Sequence, residues 1–161
     1  MSVSFDFDGR VVLVTGAAGA LGSAVATAFH EAGAHTVGVD LLPPEDDDAL
    51  IDASATDAFH TADLTDPRDV SRVIDDVIAS ADRLDVLANI AGTWRGGAPI
   101  EATDLEEFET VFDVNLKTMF LASKHALPHL QASDGAIISV SARSSLSGEI
   151  GRASCRERVY C

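Results

Sequence analysis

The chain alternates short, wholly apolar runs with longer stretches in which apolar residues recur every three or four positions. The first run, Val11-Val12-Leu13-Val14, is unbroken, as expected of a parallel strand covered on both faces. It passes through Thr15 into a turn of small residues, Gly16-Ala17-Ala18-Gly19-Ala20-Leu21-Gly22. The turn opens a helix whose apolar positions are Leu21, Val25, Phe29 and Ala32, with Gly33 as its stop. A second strand over residues 35–39 ends on Asp40. Residues 41–56 carry no period, and Pro43-Pro44-Glu45-Asp46-Asp47-Asp48 is most simply a solvated loop. A short strand over 58–62 then runs into Asp63-Leu64-Thr65-Asp66.

Val70, Val73, Ile74, Val77 and Ile78 form a helical stripe that faces a core. Pro67 suits its first position and Asp66 its N-cap. Residues 84–89 predict a fourth strand, followed by a loop over 93–99. In that loop Trp94 and Arg95 either line a substrate pocket or place a packed indole beside a solvated guanidinium. Leu105, Phe108, Phe112, Leu116, Met119 and Leu127 mark a long helix, capped at Thr103 or Asp104 and ended by Pro128. Residues 136–140 form a fifth strand. The order βαβαβαβαβ predicts an α/β fold, a doubly wound parallel sheet of Rossmann-like type. The expected strand order is 3-2-1-4-5, and the pattern stops at about the fifth strand.

A strand, a glycine turn and a helix mouth together suit a pyrophosphate. Glycines admit close backbone approach, and the helix's unpaired N–H groups and dipole receive the charge. Asp40, about two dozen residues beyond Gly16, is able to accept from both hydroxyls of an adenosine ribose and to repel a 2′-phosphate. The reading is a dinucleotide site that takes NAD in preference to NADP. The bland alternative for Gly16, Gly19 and Gly22 is an ordinary tight turn with a close helix crossing.

Composition narrows the classes further. The chain has 161 residues, 47% of them hydrophobic, enough for one domain with a core. No apolar run approaches membrane-span length and the first residues lack a basic flank, so a cytoplasmic protein is expected, without a membrane partner. A formal charge of -15 argues against nucleic acid. The acidic run is not spaced like a calcium loop, and two cysteines make neither a disulfide framework nor a four-ligand cluster, so no metal is expected.

These residues resemble the N-terminal part of the short-chain dehydrogenase/reductase family, over about residues 8–148. Thr15-Gly16 through Gly22 is similar to its cofactor turn, with Ala20 where the family has a central glycine and Gly19 just before it. The resemblance implies Gly16, Gly19, Leu21 and Gly22 as cofactor-binding residues, Asp40 as the NAD-selecting acid, and Asp63 with Leu64 beside the adenine. Asn89-Ile90-Ala91-Gly92 resembles the family's Asn-Asn-Ala-Gly signature, which adds Asn89 and Gly92. Asn115 stands where the family has a helix asparagine that helps hold a water in the proton path. The serine that meets the substrate oxygen aligns with Ala142, so Ser141 is the candidate, unless it and Ser144 only cap backbone groups.

The family's reaction also needs a Tyr followed four residues later by a Lys, which lowers the phenol's pKa. Tyr160 has no such partner, and the lysines are Lys117 and Lys124. Residues 149–161 hold both cysteines and resemble the conceptual translation of a short-read sequencing adapter. They are read as an artefact joined to an incomplete dinucleotide-binding domain, 1–148; a genuine terminus would instead expose two thiols. The expected activity of the complete protein is NAD-dependent hydride transfer between the cofactor and an alcohol or carbonyl substrate, in a homo-oligomer. This chain is expected to be inactive. The alternative is a non-catalytic NAD-binding module.

Overall fold

The structure, a computed structural model, describes residues 5–94 and 99–141. Five parallel strands, β1 (Val11–Thr15), β2 (His35–Asp40), β3 (Ala58–Thr61), β4 (Val86–Asn89) and β5 (Ala136–Ser139), lie in the order β3-β2-β1-β4-β5. The helices are α1 (Ala20–Glu31), α2 (Pro67–Ala81), α3 (Leu105–Phe112) and α4 (Thr118–Ser133). This is the doubly wound α/β arrangement expected, with every strand tip that carries a candidate residue at the same edge of the sheet.

The unbroken apolar strands follow from burial on two sides. Val11, Leu13 and Leu87 pack with α2 and α4, while Val12, Val14 and Ala88 pack on the α1 face. Thr15 lies opposite Val39 on one side and Asn89 on the other, which brings the tips of β1, β2 and β4 together. α2 buries Val70, Val73, Ile74 and Val77, each supplying roughly 1.5–3 kcal/mol against leaving it in water. The Asp66 carboxylate caps it by accepting from Arg68 N–H at 2.8 Å, ahead of Pro67 at the first turn.

Two differences from expectation concern the long helical stretch. α3 begins with Asp104 as N-cap, its carboxylate accepting from Glu107 N–H at 2.7 Å. It then widens into a π turn over Asp113–Lys117 before α4 resumes. Nor does Pro128 end the helix, which continues to Ser133. The proline removes one backbone bond, but tertiary contacts restore the last turn. Leu130 is buried, Ser133 Oγ donates to Leu84 C=O at 2.5 Å, and Asp134 closes the helix at a φ of 54°.

The end of the sheet away from the strand tips is fastened by Asp85. Its carboxylate accepts from Val11 N–H at 2.9 Å, from Arg10 at 2.8 Å and from Arg83 at 2.6 Å. Its carbonyl accepts from Ala136 N–H, which starts β5. Burial alone would raise this carboxyl, yet the hydrogen bonds from Arg83, Val11 and Arg10 outweigh it and bring its pKa to about 2. β5 is an edge strand among the described residues, with Ile137 and Ile138 exposed. None of the described helices is long and apolar enough to cross a membrane.

Candidate functional site

At the strand tips the chain after β1 turns sharply through Gly16, whose φ is +68°. A Cβ on Gly16 would stand 2.6 Å from Ala91 Cα, and one on Gly22 would run into Gly16 O. These two glycines let α1 start directly against the loop that follows β4. The helix opens at Gly19 with no side-chain cap and no acidic residue in its first turn. No side chain of the helix itself caps its positive end.

Two side chains hold this turn in place. Thr15, 2% exposed, accepts from both Ile90 N–H and Ala91 N–H at 3.0 Å through one hydroxyl, which also donates to Ala88 C=O at 3.4 Å. That hydroxyl joins the tip of β1 to the segment after β4. Asp40 Oδ2 accepts from Ala18 N–H at 2.9 Å, and Oδ1 accepts from Leu41 N–H at 2.7 Å. The turn is thus tied to both flanking strands.

In front of it lies a cleft of about 380 Å³. It is lined by Gly16, Gly19, Leu21 and Gly22 of the turn and by Asp40 from the tip of β2. Asp63 and Leu64 line it from the tip of β3, and Gly92 from the segment beyond β4. Asp63 is oriented by Thr65, which donates to Oδ1 from N–H at 2.9 Å and from Oγ at 2.7 Å. Asp63 N–H donates to Asp69 at 2.9 Å, and that bond first, then Arg72, holds the Asp69 carboxyl below the usual carboxylate range. Eight candidates from four separate stretches of sequence thus share one cleft, with a helix N-terminus at its centre.

A family model, short chain dehydrogenase, matches residues 10–155. The chain belongs to the short-chain dehydrogenase family. It is 37% identical over 150 residues to the cis-4-hydroxycyclohexanecarboxylate dehydrogenase of Sinomonas cyclohexanicum, covering 91% of this chain and 59% of that one. Among solved structures, the ligand-free aldohexose dehydrogenase of Thermoplasma acidophilum matches with a TM-score of 0.73 and 31% identity, over 84% of this chain and 50% of that one. An NADH-dependent reductase, A1-R′, responsible for alginate metabolism, matches with a TM-score of 0.78 and 27% identity, over 90% of this chain and 63% of that one. The chain spans between half and two thirds of the length of these relatives.

Short-chain dehydrogenases are oxidoreductases that bind a nicotinamide cofactor, and the cleft has features fit for one. A side chain at Gly22 has no room, no side chain of α1 caps its mouth, and a carboxylate stands at the neighbouring tip of β2. Those are the needs of a pyrophosphate with a ribose beyond it.

Three candidates do not line the cleft. Asn89 is buried beneath it, its Nδ2 donating to Ser123 Oγ at 3.1 Å and to Ser139 Oγ at 3.4 Å. Asn115 sits in the π turn, where its Oδ1 accepts from Thr93 N–H at 2.8 Å and its Nδ2 donates to Thr93 C=O at 3.0 Å. It acts as a clasp on the segment that carries Gly92. Ser141 lies two residues beyond Ser139, the last residue of β5, and does not line the cleft. Ala142, Arg143, Ser144 and the tail over 149–161 lie outside the described residues. Trp94 is 59% exposed and does not line the cleft, and Arg95 lies outside the described residues.

Thr118, Val114 and Asp48 also line the cleft but carry no signal of this in the sequence. Thr15 could have been picked out as the one polar residue closing an apolar strand next to a glycine.

Proposed function

We propose that the cleft binds NAD in preference to NADP, as the cofactor half of an enzyme that moves hydride between the nicotinamide and an alcohol or carbonyl substrate. The observation that carries the reading is Asp40, a carboxylate on the cleft wall beside the turn that opens α1. Gly16, Gly19, Leu21 and Gly22 give the pyrophosphate its backbone cradle. Asp40 accepts from the adenosine ribose and opposes a 2′-phosphate, while Asp63 and Leu64 flank the adenine. Gly92 lies on the nicotinamide side. Asn89 and Asn115 position that side from below, by fastening strand tips and the Thr93 segment. Ser141 is the residue proposed to meet the substrate oxygen. Bound here, the dinucleotide supplies the hydride; the chain's own part is to fix its orientation.

The substrate class follows from the relatives, one named for a hydroxycyclohexane acid and one for aldohexoses. Both names denote compounds that carry hydroxyl groups. Residues 1–148 are proposed as the cofactor unit of a longer cytoplasmic enzyme, and 149–161 as an added tail. Phe108, Phe112, Phe120 and Leu127, all exposed, are proposed to meet another copy in the whole protein.

A second reading has its own support. The sequence holds no Tyr with a Lys four residues on, and both lysines precede residue 125. The 161-residue chain is therefore proposed to hold NAD without turning substrate over. Calorimetric titration with NAD and NADP, beside NADH absorbance with a panel of alcohols and ketones, tests both readings. Micromolar NAD binding with no turnover is expected. A folded chain that ignores millimolar NAD refutes the cofactor assignment, and cofactor-dependent turnover refutes the inactive chain.

A further inference from the structure

The connection between β2 and β3 is built, not slack. Asp46 N–H donates to Pro43 C=O at 3.1 Å, Ala49 N–H donates to Asp46 C=O at 3.0 Å, and Asp48 N–H donates to the Asp46 carboxylate at 2.9 Å. Both ends of this turn are fastened to one residue of the glycine turn. Ala18 N–H donates to Asp40, and Ala18 C=O accepts from Leu50 N–H at 2.8 Å. Ile51, next along, is 6% exposed and packed into the core on the α1 face. This anchoring holds Asp48 on the wall of the same cleft as Asp40, Leu41 and Leu42.

We propose that Asp48 is a second determinant of cofactor choice, its carboxylate standing on the cleft wall with Asp40 and repelling the 2′-phosphate that distinguishes NADP from NAD. The inference rests on the dinucleotide reading of the cleft. Asp40 does not bear the whole repulsion. Both of its oxygens already accept backbone N–H groups, which offset part of its field. Among the described residues no hydrogen bond or ion pair engages the Asp48 carboxylate, so no protein group offsets its charge. It is solvent-exposed, and Coulomb repulsion across several ångströms of water is modest and screened by salt. The expected effect is about threefold in NADP affinity at low ionic strength.

The test is calorimetric titration of the 161-residue chain and of D48N with NAD and NADP, at about 0.02 M and about 0.5 M salt. D47N is the comparison. Asp47 is also exposed and removes the same charge, but it does not line the cleft. D48N should tighten NADP about threefold at low salt, shift NAD less than twofold, and lose its gain at high salt. D47N should leave the NAD-to-NADP ratio as it was. An unchanged ratio in D48N, with NAD still bound, overturns the role of Asp48 and leaves the cofactor reading standing. An equal gain in D47N also overturns it, because net charge rather than position would then be acting. Failure of the unsubstituted, folded chain to bind NAD removes the cofactor reading and the role of Asp48 with it.

Discussion

The Asp40 carboxylate accepts the main-chain N–H of Ala18 at 2.9 Å, so the tip of β2 holds the turn that opens α1. One residue therefore fastens the turn and, in the proposed reading, also faces a ribose. The two separate on substitution. Asp40→Ala loses both the charge and the acceptor, and unfolding in urea should show a loss of about 1–2 kcal/mol. Asp40→Asn keeps an acceptor for Ala18 and should retain most of that stability. Both should narrow the gap between NAD and NADP in calorimetry. A gap of unchanged width in both would mean that Asp40 is not the ribose acid.

Gly22 has no space for a side chain, since an added Cβ would meet Gly16 O, Gly16 C and Ala17 Cα. These are backbone atoms and cannot rotate away. Gly22→Ala should lower stability by roughly 2 kcal/mol or more by forcing α1 off the turn. NAD binding should fall below detection. Thermal unfolding and titration check this together, and a variant melting like its parent would contradict the close crossing.

Asn115 makes two hydrogen bonds to the backbone of Thr93, 22 residues earlier in the chain. Asn115→Leu keeps the volume but leaves both Thr93 groups half-buried and unpaired, at a cost of about 1–3 kcal/mol. Because Gly92 adjoins Thr93, NAD should bind several-fold more weakly as well. Ser123→Ala removes a partner of Asn89 farther from that segment and should cost less affinity. Urea unfolding of the two variants, each titrated with NAD, gives the comparison.

Asp85 links stability to pH. Its pKa in the fold, about 2, lies below the value near 3.9 expected of an unfolded chain. A lowered folded value means that the stabilisation is complete above pH 4 and disappears as pH falls toward 2. The contribution at neutral pH is about 2 kcal/mol, for a side chain that is only 2% exposed. Asp85→Asn should lose that amount at pH 7 and flatten the fall in stability between pH 4 and pH 2. Urea unfolding at stepped pH measures it, and an unaltered slope would relieve Asp85 of the role.

Much of this molecule was readable because its signals are local. Asp66, Pro67 and the stripe from Val70 to Val77 each speak within one or two helical turns, and α2 stands where they place it. The glycine turn, Asp40 and Asp63 were readable for a related reason: each closes a strand, and parallel strands bring their ends to one edge. Pro128 carries a local penalty of about 3 kcal/mol, and Leu130 and Ser133 offset it through partners elsewhere in the fold that no local pattern reveals. The π turn around Asn115 has no local mark, and its clasp reaches across 22 residues. Asp48 sits in what reads as a solvated loop. The bond from Leu50 to Ala18 and the burial of Ile51, both contacts to distant parts of the chain, hold that loop against the cleft.

The Thr15 hydroxyl takes two N–H groups and gives its own proton to Ala88, so its bonding capacity is spent. A dinucleotide arriving there meets the tips of β1 and β4 already joined. Association should then proceed at the ordinary rate of rigid partners, with a heat-capacity change set by the ligand surface covered rather than by folding of the protein around it.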